Sequence, residues 1–355
     1  MLCMLQTLSA ATKKYRIAYM NYNKLRIGIL GASKIAPDAI IEPAKNIDHI
    51  SVSGIAASNP MKASDYAQKY EIPYSTGDYN KLIKSDLIDV VYVSLKNDMH
   101  YEYAIKAIDN KKHVLIEKPI CLNYKEYEEI EELALKNNVV VMEAMMVEHH
   151  PWQKEILNLI RKKEYGKIKR IVSYNHYMQS GEDDFRIVSK HGGGAIYDLG
   201  GYCLQFVQRM IGLEFKTISC QTNSYGPDKI DTEFYVNIST EDDIKVELHG
   251  SFIKPFKAHH IVECEKGTIE VKNFFRSGFG CNKMHLHCTN LNSEEPEVVS
   301  FEPMSYYHNQ LTDLTEAIET GKFVDQLKES GIRVKVMEKL HEIRKITNHQ
   351  PSGTS

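Results

Sequence analysis

The run His113 to Ile120, HVLIEKPI, ends an apolar stretch in an adjacent carboxylate and ammonium, followed at once by a proline. A core strand has no use for a lysine at its tip. A lysine there can instead donate a hydrogen bond to a carbonyl or hydroxyl at a reacting carbon, with its basicity set by burial and by Glu117. Pro119 ends the ladder and gives a fixed turn behind Lys118. A second feature is the segment GGGAIYDLGGY from Gly192 to Tyr202. Its spacing predicts that Asp198 and Tyr202, four residues apart, share one face of a first helical turn. An acidic side chain suits that end of a helix, and a tyrosine beside a lysine is a reasonable general acid because the ammonium favours the phenolate. Taken singly, each feature also fits a plain account: a strand-end ion pair, or an acidic helix start followed by a core tyrosine.

A third feature is the turn Gly31-Ala32-Ser33-Lys34-Ile35-Ala36, which follows the strand-like KLRIGIL. Against G-x-G-x-x-G/A it keeps the first glycine and an allowed final alanine, with Ser33 at the middle glycine. A small side chain there permits close backbone approach, and its hydroxyl can donate to a phosphate. Lys34 and Ile35 complete the turn into a helix whose N-terminus suits a pyrophosphate. At the end of the next strand, where an NAD site carries an Asp or Glu for the ribose, this chain has Ser58 and Asn59, with Lys62 one turn on. That substitution favours NADP over NAD, although no arginine accompanies it.

These residues need a scaffold that brings strand ends together. Strand runs at 24–30, 51–58, 88–95, 112–117 and 139–146 alternate with helical stretches, which predicts right-handed βαβ units and a parallel sheet covered on both faces. Glu117, Lys118 and Pro119 then lie at the same carboxyl edge as the glycine turn. After residue 150 the rhythm changes. A helix (152–163), an alternating strand (167–178), the glycine segment and strand candidates at 215–222, 232–239, 243–252, 258–264 and 268–273 predict an α+β domain on an antiparallel sheet. Helices at 305–320 and about 327–347 close it. The organisation expected is an N-terminal extension over 1–22, disordered and with Met20 as an alternative start, then a dinucleotide-binding domain over 23–147. A substrate and oligomerisation domain over 148–347 follows, with a disordered tail over 348–355.

Bulk properties narrow the function. The 355 residues exceed one simple core, and 43 % apolar with 26 % charged content is that of a soluble globular chain. A net charge of −3 without a basic block argues against nucleic acid and an anionic membrane as partners. No run approaches the length of a membrane helix. Seven cysteines with no CxxC pair read as reduced thiols in the cytoplasm. No metal set closes: His149 and His150 are adjacent, and His259 and His260 sit in a strand whose neighbours face opposite ways.

Together these motifs resemble the Gfo/Idh/MocA oxidoreductases over about residues 24–347. KHVLIEKP is similar to the family's lysine-bearing strand end, SLKNDMHYEYAIKAI to its TPNxxHxxxAxxAL segment (with Lys96 where proline is usual), and GGGAIYDLGGY to its GGGxxxDxGxH motif. YYHNQLTDLTEAIETGK resembles its penultimate helix. The resemblance implies a Rossmann domain followed by a domain with an open sheet, hydride transfer at a sugar or polyol carbon, and homodimers or homotetramers built through the second sheet. It implies that Lys118 is the catalytic lysine, that Asp198 orients substrate, and that Asn97, His100 and Glu117 lie on the cofactor side. Tyr202 stands where inositol dehydrogenase-like members have histidine, as in dihydrodiol dehydrogenases, xylose dehydrogenases and ketoreductases of nucleotide-linked deoxysugars. MEAMMVEHHPW departs from the common EAFMxRxxP and places His149 and His150 beside the site. With the DDFR stretch it looks most like the deoxysugar ketoreductases, which extends the expected substrate from a sugar to a nucleotide-linked keto-deoxysugar. Arg186 and His149 are then candidate substrate contacts, and His191 a weaker one. Tyr202 and Lys118 both remain open as the proton donor. A dinucleotide-binding regulator and a redox-neutral enzyme that recycles bound NAD are the alternatives.

Overall fold

Largely apolar runs in β1 (Leu25–Leu30), broken only by Arg26, and β4 (Val90–Val93) belong to a sheet with both faces covered, and both strands are buried along almost their whole length. In the computed structural model, which describes residues 24–162, 165–179, 184–225, 229–291 and 295–347, six strands form this sheet. They are β1, β2 (Ile50–Ala56), β3 (Ser75–Thr76), β4, β5 (His113–Ile116) and β6 (Val141–Glu143). The order is β3-β2-β1-β4-β5-β6 and every pair is parallel. The strand order reverses between β1 and β4, and the crevice outside their carboxyl ends is where such sheets bind ligands. The connecting helices are α1 (Glu42–Lys45), α2 (Pro60–Tyr70), α3 (Tyr79–Ile83), α4 (His100–Asp109) and α5 (Tyr124–Asn137). The helix after the glycine turn begins as a π-helical turn, Pro37–Ile41, before α1. The two-residue β3 and the short α3 carry too little periodicity to be read from sequence.

The second sheet has eight strands in the order β14-β13-β12-β11-β7-β10-β9-β8. They are β7 (Ile168–His176), β8 (Thr217–Tyr225), β9 (Ile230–Ser239), β10 (Lys245–Ser251), β11 (Lys257–Cys264), β12 (Gly267–Lys272), β13 (Met284–Asn290) and β14 (Glu297–Phe301). All neighbours are antiparallel except β7 and β10, whose parallel pairing makes the sheet mixed. Two strands, β13 and β14, go beyond the sequence expectation. β14 is a short, mostly exposed edge strand, with only Val299 and Phe301 packed partly against the core. Helices α6 (Pro151–Arg161), α7 (Gly201–Ile211), α8 (Tyr306–Thr320) and α9 (Val324–Thr347) complete the domain. The expected extension over 1–22 and tail over 348–355 lie outside the described residues. Among the described residues no helix is long and apolar enough to cross a membrane, and the six cysteines are free.

Helix α9 returns to brace both halves. Arg333, fully buried, sends Nη2 to Glu143 Oε2 at 2.6 Å and Nη1 to Glu148 Oε1 at 3.1 Å. Glu143, at the end of β6, accepts with its other oxygen from Ile120 N at 3.1 Å, two residues past Lys118. Further along the helix, Arg344 Nη1 reaches the fully buried Asp231 at 2.5 Å, and Asp231 accepts from Ile196 N at 2.8 Å. Removing one partner of a buried pair strands the other charge in a low-dielectric core. Arg333→Ala is therefore expected to cost about 3–5 kcal/mol, seen as a lowered urea midpoint. An unchanged midpoint would remove α9 from this role.

Candidate active site

The glycine turn is shaped by close approach of two strand ends. Gly31 adopts φ +103°, and a Cβ there would lie 2.6 Å from the Ser94 carbonyl at the end of β4, so only glycine fits. Ser33 does not present a free hydroxyl: its Oγ donates to Ser94 Oγ at 3.0 Å and accepts from Ala36 N at 3.3 Å. Its contribution is to hold the turn, with Tyr66 donating to its carbonyl at 3.0 Å. Lys34 is exposed and Ile35 half-buried beside it. At the end of β2, Asn59 caps α2 by accepting from Lys62 N at 2.8 Å. Ala32, Asn59, Met61, Lys62, Asp65, Tyr66 and Lys69 line a cleft of about 340 Å³ there. Ser58, exposed just before Asn59, does not line it. Tyr66 and Lys69 were not picked out from sequence; they follow Lys62 at helical spacing on α2, and that spacing was the available signal. The glycine turn and a cleft that carries Lys62 and Lys69 against the single carboxylate of Asp65, with none at the strand end itself, fit a dinucleotide with a phosphorylated ribose.

At the end of β4, Asn97 and His100 are buried and turned to protein groups. Asn97 Nδ2 donates to Gly192 O at 2.9 Å, across the crevice. His100 Nδ1 faces Pro119 O at 2.8 Å and Nε2 faces Leu95 O at 3.2 Å, while burial pushes its pKa down. His191 lies over the same opening, with Nδ1 at 2.9 Å from Asp98 Oδ2 and Nε2 at 3.0 Å from Lys96 Nζ.

The end of β5 leads into Glu117 and Lys118. The Lys118–Pro119 peptide is cis, and His100 and Glu143 hold the two residues after Lys118. Glu117 accepts from Tyr92 OH at 2.5 Å, and burial raises its pKa. Lys118 Nζ donates to Asp198 Oδ1 at 2.6 Å and to Asp198 O at 2.9 Å. Asp198 sits in a π-helical turn, Ile196–Gly200, that runs into α7. The extra residue per turn departs from the α-helical start expected from sequence, yet Asp198 and Tyr202 still share one ammonium, because Lys118 Nζ lies 5.0 Å from the Tyr202 ring centroid. Glycines make the approach possible: a Cβ at Gly194 would fall 2.4 Å from Asp231 Oδ1.

Asp198 accepts from two further donors, Arg186 Nε at 3.2 Å and Tyr177 OH at 2.8 Å. Burial alone would raise its pKa, but Lys118, Arg186 and these hydrogen bonds together bring it down to about 2. Arg186 is shared with Asp184, 3.2 Å from Nη1. Among the described residues the Tyr202 hydroxyl has only the Met146 sulfur, at 3.8 Å, as partner, and burial pushes its pKa well up. Tyr177, Tyr92 and Met146 escaped the sequence reading. Tyr177 lies just past the carboxyl end of β7, which was the one available signal.

The doubled histidine divides. His149 is buried with Nδ1 2.5 Å from Asp313 Oδ2 on α8, and no hydrogen bond joins it to Lys118, Asp198 or Arg186. His150 accepts from Trp152 N at 3.2 Å as the N-cap of α6, with its pKa lowered to about 4 by burial. Among the described residues no group of three His, Cys, Asp or Glu side chains could hold a metal ion.

Two family models match the two sheets in turn. "Oxidoreductase family, NAD-binding Rossmann fold" covers residues 25–145, and "GFO/IDH/MocA C-terminal domain" covers 154–270. The chain belongs to the Gfo/Idh/MocA family. It is thus an NAD(P)-dependent oxidoreductase with a Rossmann domain ahead of a mostly antiparallel sheet domain. It is 25 % identical over 301 residues to D-xylose 1-dehydrogenase (NADP(+)) 2 of Haloferax volcanii, spanning 84 % of this chain and 90 % of that one. It is 36 % identical over 188 residues to trans-1,2-dihydrobenzene-1,2-diol dehydrogenase of Xenopus tropicalis, a match that spans 51 % of this chain and only 54 % of the relative. The crystal structure of a 3-ketoreductase from Actinomadura kijaniata, in complex with NADP and TDP-benzene, superposes with a TM-score of 0.85. It is 18 % identical and covers 91 % of this chain and 98 % of that one, so it shares the fold.

Asp198 gives a pH dependence with a definite sign. Its folded pKa, about 2, lies below its usual 3.8, so the stability it contributes is full above about pH 4 and is lost as pH falls through 2. From that shift, about 1 kcal/mol should be lost between pH 6 and pH 3. Asp198→Asn should show a shallower decline of urea midpoint over that range. Tyr177→Phe, which deletes a donor to the carboxylate, should move the decline to higher pH. Parallel curves for all three proteins would mean that the carboxylate is not held ionised as its partners require.

Proposed function

We propose that this oxidoreductase uses NADPH to reduce a ketone on a sugar or sugar-like substrate, extending to a nucleotide-linked keto-deoxysugar, and that Lys118, Tyr202 and Asp198 carry the reaction. The observation behind the reading is the buried contact of Lys118 with Asp198, with Tyr202 against the same ammonium, beside the glycine turn. NADPH supplies the hydride from its nicotinamide. Gly31, Ser33, Lys34 and Ile35 form the turn for the pyrophosphate, and Asn59, Lys62 and Lys69 surround the ribose phosphate, with Ser58 leading into the cleft from the strand end. Asn97, His100 and Glu117 shape the nicotinamide end. NADP is preferred over NAD because a lysine, not a carboxylate, follows β2.

Lys118 has two acceptors on Asp198, which leaves a third N–H for a substrate oxygen. Tyr202 stays protonated because burial disfavours its anion, and its hydroxyl is held only by sulfur, so it can turn to the oxygen that becomes an alkoxide. Asp198 and Arg186 orient the neighbouring hydroxyls. We assign the proton to Tyr202 and the stabilisation of negative charge to Lys118. The sugar class agrees with the xylose dehydrogenase relative, and the nucleotide-linked extension with the ligand of the Actinomadura ketoreductase. The same reading takes the chain as cytoplasmic, and as a homodimer or homotetramer joined through the eight-stranded sheet.

Fluorescence titration with NADPH and NADH, then a panel of keto sugars free and nucleotide-linked, tests this function. Preferential NADPH binding with ketone-dependent oxidation is expected. Binding without net oxidation on any substrate would favour a regulator or an enzyme that recycles its cofactor. Lys62→Ala should weaken NADPH by about tenfold and narrow the gap to NADH. Tyr202→Phe should lower kcat by about 10²–10⁴-fold with NADPH affinity retained. A full rate in that variant would make Lys118 the donor.

A further inference from the structure

The connection between β12 and β13 winds through three turns closed by bonds between residues three apart. Arg276 N meets Asn273 O at 2.8 Å, Gly278 N meets Phe275 O at 2.9 Å and Gly280 N meets Ser277 O at 3.1 Å. Arg276 and Phe279, three residues apart in these turns, are both open to solvent: Arg276 is exposed and Phe279 is 66 % exposed. The other side of the loop is anchored. Ser277 Oγ donates to Met304 O at 2.7 Å, and Ser305 Oγ donates to Gly278 O at 3.0 Å. The two outward side chains therefore stand on a fixed support.

The loop also borders the reactive pair. Phe275 meets Tyr202 edge-on, with centroids 4.9 Å apart, and Phe279 lies 6.5 Å from Tyr307. Tyr307 is buried close enough to Glu117 for that carboxylate to raise its pKa, after burial itself. Aromatic rings thus lead from the reacting tyrosine outward to an exposed phenyl. Beside it stands a guanidinium with no hydrogen-bonding or ionic partner among the described residues. A free sugar can lay its C–H face on a flat ring but brings no anion to a spare cation. A nucleoside diphosphate uses both.

We propose that Phe275, Arg276 and Phe279 form the subsite for a nucleoside diphosphate on the substrate. The base stacks on Phe279, the phosphates meet Arg276, and the sugar runs inward past Phe275 to Tyr202. This rests on the reductase reading and narrows its substrate class.

Calorimetry on the full chain saturated with NADPH, with dTDP and inorganic pyrophosphate as probes, tests the subsite without needing turnover. The proteins are the wild type, Phe279→Ser and Arg276→Ala, and unchanged NADPH affinity certifies the fold of both surface variants. dTDP should bind the wild type, and each substitution should weaken it about tenfold. Equal dTDP affinity in all three proteins, or none in the wild type, overturns the proposal. Pyrophosphate binding as tightly as dTDP overturns the stacking role of Phe279. Reduction of free keto sugars without dTDP binding sinks the subsite and leaves the reductase standing. dTDP binding lost in the variants, with no ketone reduced by any protein, keeps the subsite and sinks the reductase.

Discussion

The contact between Lys118 and Asp198 is the constraint on which the rest of the structure depends. The lysine comes from the end of a parallel strand in the first sheet and the carboxylate from a turn above the second, so the pair fixes how the two sheets face each other. Both side chains are largely buried, at 12 % and 9 % exposure. Desolvation at such a place offsets most of the attraction unless every remaining lone pair is satisfied. Asp198 meets that condition, taking donors from Lys118, Arg186 and Tyr177. The pair persists because the second domain supplies two of the three donors.

Each end of the pair is held by a buried carboxylate, and each carboxylate is neutralised by an arginine from α9. Glu143 fixes the loop of Lys118 through Ile120 and is met by Arg333. Asp231 fixes the turn of Asp198 through Ile196 and is met by Arg344. A terminal helix that touches no reacting atom thereby sets the distance between the two charges. The glycines of the 192–194 run belong to the same account, since any larger residue at 194 would push Asp231 off its ligand.

This explains what could be read from sequence and what could not. Lys118, Asp198, Tyr202 and Gly31 are legible because each sits at a strand end or helix start, where local spacing dictates the backbone. Glu143 and Arg333 lie 190 residues apart, and nothing local marks them as a pair. Ser33 illustrates the other limit. Its hydroxyl was free to meet a phosphate as far as its own turn could show, and it is engaged instead by Ser94 from a strand 61 residues away. The partners of the two histidines are likewise non-local in part: His149 meets Asp313 on α8, while His150 caps α6. Strands β13 and β14 were hidden by the turn-rich FFRSGFG stretch before them and by the shortness and exposure of β14.

The environments around the reacting point push three ionisations apart, and that separation assigns the work. Burial favours the neutral forms of Tyr202 and Glu117, while the surrounding donors keep Asp198 charged. A site so arranged keeps a proton on the phenol and a fixed negative charge beside the lysine. Reduction of a ketone needs that state: an acid that is still protonated when the hydride arrives, and an ammonium already oriented toward the oxygen that gains charge. For the reduction proposed above, the ammonium against the Tyr202 ring is placed to stabilise the product oxygen, while burial keeps the proton on the tyrosine. In the proposed reduction the choice of donor thus rests on burial as much as on residue type, which is why the motif alone left two candidates for the donor.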